Sequence, residues 1–254
     1  MLPIRLNAPR NHETPVLALL MAILTMVFFA QLALTQSREA NLVASASLTP
    51  WQMTDSAVAF VDQGYRLITA AFLHGGIIHF LSNVWVLWLF GRSVESAFGG
   101  VRFGLLFLAT AALGNLAHLA IYPDSLVPAL GASGAVSGLF GAFVRLYPLS
   151  RVLVVVPIVI LPVWFWLRAF WFILFWFGLQ VLQGVFALED PLVGGGIAWW
   201  IHIGGFLAGL ALGKVLAKRV LPMPPDPPAT QSAAGKPGPW NQRSSSRPGN
   251  RRDG

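Results

Sequence analysis

Residues 199–213 read Trp-Trp-Ile-His-Ile-Gly-Gly-Phe-Leu-Ala-Gly-Leu-Ala-Leu-Gly and close a charge-free run, 191–213, of 23 residues. A helix needs about 20 mostly apolar residues, at ~1.5 Å each, to cross a hydrocarbon core of ~30 Å. This run is long enough. Moving outward along the chain, charge-free runs also occupy 14–37, 67–91, 103–123, 125–144, 152–167 and 169–188, with lengths of 24, 25, 21, 20, 16 and 20 residues. The run of 16 falls short and holds Pro157 and Pro162, which remove backbone donors and break helices. The stretch 152–162 therefore reads as an interfacial or re-entrant lead-in to the next span. The expectation is an all-α integral membrane bundle of six transmembrane helices, with seven as the rival count.

Composition agrees. Of 254 residues, 56% are hydrophobic and 11% charged, against about 25% charged in soluble domains. A water-soluble fold of this size has too little charge here to cover its surface, and the abundance of Leu, Val, Phe and Trp excludes general disorder. Cysteine is absent, which rules out disulfide frameworks, cysteine nucleophiles and thiolate metal sites. Arg5 and Arg10 resemble the start of a signal peptide, yet the apolar run after Pro15 outlasts the roughly 7–15 residues of a signal h-region. It reads as a membrane-anchored helix with its amino end inside.

The net charge of +7 is distributed as a membrane topology, not as a nucleic-acid surface. With six spans and the N-terminus inside, only Arg38 and Arg66 of the 17 basic residues fall outside, together with six of the ten acids. That is the positive-inside pattern. The expected division is a cytoplasmic segment 1–15, a six-helix membrane domain 16–217, and a disordered, basic, Pro-rich cytoplasmic tail 218–254. The outer segment from about Gln36 to Phe72 mixes Trp51, Met53, Phe60 and Tyr65 with few charges, as suits a loop lying partly in the interface. The expected location is the cell (plasma or inner) membrane, with multiple passes and the lipid bilayer as partner.

Polar groups inside spans are costly and therefore informative. The second span carries His74, His79 and Asn83, the last two at i,i+4 on one helix face. The fourth contains Gly131-Ala132-Ser133-Gly134, and the sixth contains His202 followed by Gly204-Gly205. Spans two, four and six all run inward, so His79, Ser133 and His202 fall at a similar depth. Small residues at Gly134, Gly138 and Ala142, and at Gly205, Gly209 and Gly213, form rows that let two helix backbones approach closely. Ser133 and His202 stand within one turn before those rows. A serine hydroxyl beside an imidazole is the arrangement that activates a weak nucleophile. His202 serves as general base, and the Ser133 N–H with the His79 and Asn83 side chains supplies the oxyanion donors. No acid is placed to orient His202, so the reading is a Ser-His dyad.

At these residues the chain resembles the rhomboid family of intramembrane serine proteases, over about 57–215. The family's HxxxxHxxxN stands as His74, His79 and Asn83, its GxSG as Gly131, Ser133 and Gly134, and its AHxxGxxxG as His202, Gly205 and Gly209 with Ile201 in place of Ala. The Trp-Arg pair of the family's first loop looks like Tyr65-Arg66, and its glutamate after span two looks like Glu95. The resemblance implies a serine endopeptidase that cuts a peptide bond in or near a transmembrane segment of membrane-protein substrates. It implies catalysis by Ser133 and His202, an oxyanion hole from Ser133, His79 and Asn83, and support from His74, Gly131, Gly134, Gly205 and Gly209. No cofactor or metal is implied, and no nucleic-acid partner. One departure is Ser137, where the family usually has a Phe or Tyr whose ring packs on the catalytic histidine; Trp199, Trp200 or an aromatic of span five is the expected substitute.

Rival readings are weaker. GxSG alone is more often a packing motif, and His118 with Asn115 has no partner motif and reads as structural. The alternative function is a non-proteolytic relative that binds or escorts membrane proteins. A haem protein needs histidine pairs facing across helices, and a transporter needs a buried coupling acid; neither pattern is present.

Overall fold

The computed structural model describes residues 1–11, 13–158, 161–189 and 198–225. It is mostly helical. Five of the described helices are long and apolar enough to cross a membrane: α1 (Pro15–Leu32), α6 (Ile77–Phe98), α7 (Gly100–Ile121), α9 (Ala169–Glu189) and α10 (Trp199–Leu216). Between α1 and α6 lie four short helices, α2 (Gln36–Ala46), α3 (Pro50–Thr54), α4 (Ala57–Gln63) and α5 (Arg66–Thr69), and a 3-10 turn over Ala70–Phe72. The remaining helix, α8 (Ser133–Leu146), has only 14 residues, about 21 Å at helical rise.

That length corrects the expected fourth span. The first part of the 125–144 run is not helical, and its backbone is paired instead to the outer segment. Leu48 and Ala129 exchange both backbone hydrogen bonds, at 2.9 and 2.7 Å, and the Gly131 N–H donates to the Ala70 carbonyl at 2.8 Å. Irregular backbone at membrane depth is tolerated only where protein satisfies it, and the outer segment does so here. Arg66 holds that segment together: it is buried, and its Nη1 donates to the carbonyls of Ala44 (2.8 Å) and Ser47 (3.2 Å) and to Oε1 of Gln52 (2.7 Å). Met53 is fully buried beside Leu48, while Trp51, Phe60, Val61 and Tyr65 are exposed.

The all-α expectation is also corrected. The stretch read as a re-entrant lead-in is a β-hairpin, β2 (Arg151–Ile158) and β3 (Leu161–Arg168), and β1 (Leu2–Asn7) pairs antiparallel with β2 to give the order β1-β2-β3. Val152 and Val154 are fully buried while their neighbours are half-exposed, the period-2 alternation of a strand with one covered face. Pro157 pairs opposite Pro162 near the hairpin end, where missing donors cost the ladder least.

Contacts fix helix directions. The start of α1 meets the end of α6, where Glu95 accepts from the N–H groups of Val16 (3.0 Å) and Leu17 (2.8 Å). At the far ends, Gln31 bonds the backbone of His74. Arg102 at the start of α7 donates to the Leu216 carbonyl at the end of α10 (3.2 Å), and Tyr122 after α7 donates to Ala187 near the end of α9 (2.9 Å). Hence α6, α8 and α10 run one way and α1, α7 and α9 the other. Residues 218–225 lie across the basic end: the N–H groups of Lys218 and Arg219 both donate to the Ala97 carbonyl, and Asn7 donates to that of Pro225. Residues 226–254, most of the expected tail, lie outside the described residues.

Glu95 is buried and serves as a carboxylate cap for helix α1 in place of a local one, since Thr14 makes no side-chain cap. Two N–H groups at a helix start and the positive dipole end all favour it. Glu95→Ala is expected to cost about 2–3 kcal/mol and Glu95→Gln about 1 kcal/mol, measured as a lowered unfolding midpoint in detergent.

Candidate active site

Helices α8 and α10 meet backbone to backbone. A Cβ on Gly209 would strike the Gly138 carbonyl oxygen, and one on Gly205 the Gly134 carbonyl oxygen; a Cβ on Gly213 would stand 2.9 Å from Cα of Ala142. On its other face α10 presses against α7, where a Cβ on Gly114 would stand 2.6 Å from the Ile201 carbonyl. Gly134 touches Ile201 directly, its would-be Cβ 2.7 Å from Cγ2. Ser133 and His202 are the neighbours of these two residues, so the two candidates sit at one level of adjoining helices. Both side chains are half-buried.

Ser133 is the first residue of α8, and the first backbone donation in that helix is from Val136 to the Ala132 carbonyl at 2.9 Å. The N–H of Ser133 is therefore among the helix-start donors left without an intrahelical acceptor, at the positive end of the dipole. Just before it, Gly131 has φ 123°, a left-handed conformation that favours glycine. Its missing side chain leaves room for the His79 ring, since a Cβ there would stand 2.6 Å from Nε2 of His79. The first glycine of GxSG thus seats the histidine of α6 against the turn that starts α8.

Asn83 is buried and its Nδ2 donates to the His79 carbonyl at 2.9 Å. An amide NH₂ has two donors, so one proton remains for another acceptor. His74 is buried behind them, packed edge-on against His79 (centroids 5.3 Å), Phe28 and Phe80. Its backbone is held by Gln31 of α1. His118 packs on Tyr122, and Asn115 donates to the Leu67 carbonyl at 2.8 Å, fastening α7 to α5.

His202 has a partner that the sequence reading missed. Its Nδ1 lies 2.7 Å from Oε1 of Gln180, a buried residue of α9. The amide nitrogen of Gln180 donates to the Trp176 carbonyl at 3.4 Å, which leaves the oxygen facing the imidazole. An accepting oxygen at Nδ1 requires the proton there, and in the neutral ring it leaves Nε2 as the accepting nitrogen. The ring is flanked by Trp176 and Trp199, each with centroid 6.1 Å away, within the range of aromatic contacts. Ser137 is buried and donates to the carbonyl of Ser133, 2.6 Å away, so it contributes no ring. The signal for Gln180 was present: Gln180 and Gln183 are the polar side chains in the 169–188 run, and a polar group in a span is informative.

Among the described residues the Ser133 hydroxyl makes no hydrogen bond, to His202 or otherwise. Catalytic hydrogen bonds are often long before substrate binds and tighten in the complex. Among the described residues no group of three His, Asp or Glu side chains is placed to hold a metal ion.

Residues 61–219 match the family model described as the Rhomboid domain. The chain is 31% identical over 202 residues to RHOMBOID-like protein 4 of Arabidopsis thaliana, covering 76% of this chain and 45% of that protein. It is 32% identical over 158 residues to RHOMBOID-like protein 6, mitochondrial, of the same plant, covering 61% and 44%. It is 39% identical over 98 residues to Rhomboid protease GluP of Bacillus subtilis, covering 35% and 19%. The chain thus spans less than half the length of each of these relatives. The matched stretch contains α6, α8 and α10 entire, and on that match this multi-pass membrane protein belongs to the rhomboid family, which includes intramembrane serine proteases.

Proposed function

We propose that the chain is an intramembrane serine endopeptidase that hydrolyses a peptide bond in or near a transmembrane segment of another protein. It crosses the cell membrane six times, α8 making the fourth crossing with the outer segment, and both termini are cytoplasmic. The observation that supports the reading is that Ser133 and His202 stand at one level of two helices in backbone contact, with His202 Nδ1 bonded to Gln180 so that Nε2 of the neutral ring is free to accept a proton.

The Ser133 Oγ attacks the scissile carbonyl carbon while His202 Nε2 takes its proton. The carbonyl oxygen becomes an oxyanion facing the Ser133 N–H, the second Asn83 amide proton and the His79 ring. His202 then gives the proton to the leaving amine, and a water, deprotonated by the same imidazole, releases the acyl group from Ser133. Gln180 does not touch the reacting atoms. It is a positioning residue that holds the imidazole in the tautomer the first step needs.

The test is a fluorophosphonate probe on the purified protein, followed by cleavage of a single-span substrate in vesicles. Labelling that requires both Ser133 and His202 supports the reading. A folded protein that neither labels nor cleaves supports the binding or escort role, which the unbonded Ser133 hydroxyl of this structure also permits.

The role of Gln180 makes its own prediction. Gln180→Leu removes the acceptor and frees the imidazole to turn, and misplacement on the order of 1 Å costs about a hundredfold in rate. Cleavage is expected to fall by about that factor in kcat with KM unchanged. Gln180→Glu keeps an accepting oxygen and retains most of the rate. Equal losses in both variants would reduce Gln180 to a packing residue.

A further inference from the structure

At the end of the bundle opposite the candidate site, the last turns of α8 and α10 and the chain that follows line an open pocket of about 330 Å³. Its wall carries four cations, Arg145, Lys214, Lys218 and Arg219, and no acid. The volume is at the lower end of the ~300–1,000 Å³ of small-ligand sites. Among the described residues, no hydrogen bond or ion pair engages any of these four charged groups.

Helix capping does not account for them. The carboxyl ends of α8 and α10 carry about −0.5 charge each, roughly −1 against four positive charges. The terminal Leu216 carbonyl of α10 is already bonded by Arg102, at 3.2 Å. Nor are the cations a random sample of the tail, because the backbone of Lys218 and Arg219 is pinned to the Ala97 carbonyl, at 2.9 and 3.0 Å. Leu221 N–H is bonded to the Tyr147 hydroxyl at 3.2 Å. The chain turns back across the bundle end and holds the wall in place. The four side chains are exposed, and together they make a concave cluster of like charge on a backbone that is held in place.

The same end carries Arg5, Arg10, Arg92, Arg102, Arg151 and Arg168, while the far end of the described chain has only Arg38 and Arg66. Under the positive-inside rule it faces the leaflet rich in anionic lipid. Basic pockets between membrane helices on that side suit anionic headgroups.

We propose that this pocket is a binding site for a phosphate-bearing anion, held by Arg145, Lys214, Lys218 and Arg219, with the headgroup of an anionic phospholipid as its occupant. The guanidinium of Arg145 offers paired donors to two phosphate oxygens, and the lysines act as point charges around it. Because the site bridges the ends of α8 and α10, occupancy clamps together the two helices that bear Ser133 and His202.

The test uses the full-length protein in a neutral detergent. Short-chain phosphatidylglycerol, the matching phosphatidylcholine and inorganic phosphate are titrated separately while thermal unfolding is followed, and retained lipid is counted by native mass spectrometry. Phosphatidylglycerol is expected to raise the unfolding midpoint and to be retained in preference to phosphatidylcholine, with the preference weakening as salt is added. The variant with Arg145, Lys214, Lys218 and Arg219 all changed to Gln is expected to bind about tenfold more weakly or worse. The control removes equal charge farther along the chain by changing Lys236, Arg243, Arg247 and Arg251 to Gln, and keeps the binding. If inorganic phosphate binds as well as the lipid, the site stands and its occupant is the free ion. Equal loss in both variants means diffuse charge attraction and overturns the proposal. So does a wild type that does not distinguish phosphatidylglycerol from phosphatidylcholine, a readout that needs no variant to fold. Neither result bears on the dyad, since no cleavage is measured.

Discussion

Ser133→Ala and His202→Ala are each expected to lower the proposed cleavage by about a millionfold, with the double variant no worse than either single one. The expected non-additivity follows from the division of labour. Without Nε2 of His202 the Ser133 hydroxyl keeps its proton and is a poor nucleophile; without Oγ there is no acyl acceptor for the imidazole to activate. Removing the second partner therefore removes nothing that still functions. Fluorophosphonate labelling is expected to disappear in all three variants. The unfolding midpoint of Ser133→Ala is expected to stay near wild type, because among the described residues its hydroxyl makes no hydrogen bond and the backbone contact of α8 with α10 runs through glycines beyond it. His202→Ala, by contrast, strips the buried Gln180 oxygen of its partner and is expected to lower the midpoint. The base must be neutral to accept a proton, so kcat/KM falls as pH is lowered through the imidazole titration and levels off above it. Single losses that add up in the double variant would mean that the two residues act separately, and would sink the dyad.

The membrane class was legible because it depends on local counts, and the same counts make Ser133 and His202 candidates for the proposed dyad. Runs of 20 or more charge-free residues at 14–37, 67–91, 103–123, 169–188 and 191–213 each overlap a helix long enough to cross, although α6, α7 and α10 extend past the charged residues that bound their runs. Ser133 and His202 stand in spans where a polar group needs a reason. What was not legible depends on partners far away in the chain. β1 becomes a strand only because β2 lies beside it, about 150 residues on, with Leu2 opposite Val155. The run 125–144 has the length of a span, but Pro128 and the left-handed Gly131 break it, and Ala129 finds its backbone partner in Leu48. The i,i+4 spacing of His79 and Asn83 was read as two free donors on one face. The same spacing also lets the Asn83 amide reach the His79 carbonyl, so one of its protons is already engaged. Arg92 and Glu95 stand at i,i+3, a spacing that allows an ion pair, but Glu95 caps α1, while Arg92 lies over the Trp88 ring at 4.1 Å. In each case spacing gave the neighbours available within one element, and tertiary packing chose a different one.

Gly209→Leu is the substitution with the largest structural effect outside the dyad. The Cβ alone would land on the Gly138 carbonyl oxygen and stand 2.6 Å from the Gly138 Cα. These are backbone atoms of a helix, so no side chain is free to swing away and the two axes must separate. Lipid supplies little hydrophobic force to push them together again, since association in a bilayer rests on close packing. Gly205 against Gly134 and Gly141 against Phe206 lie in the same seam and are pulled apart with it. Overpacking a well-filled interior costs about 1–3 kcal/mol, and with the whole seam opened the expected loss is about 4–5 kcal/mol, at the exceptional end for one substitution. Gly209→Ala tests the same contact more gently. It shifts α10 by a fraction of the Cβ radius and is expected to cost about 2 kcal/mol. Its cleavage rate falls by about a hundredfold, because Ser133 and His202 ride on the two helices being parted. Gly178 on α9 provides the control, since a Cβ there meets nothing within 4 Å. Gly178→Ala is expected to be neutral or to stabilise by up to about 1 kcal/mol through helix propensity, with cleavage unchanged. If Gly209→Ala behaves like Gly178→Ala in thermal unfolding and in cleavage, the α8–α10 seam is not what sets the distance between Ser133 and His202.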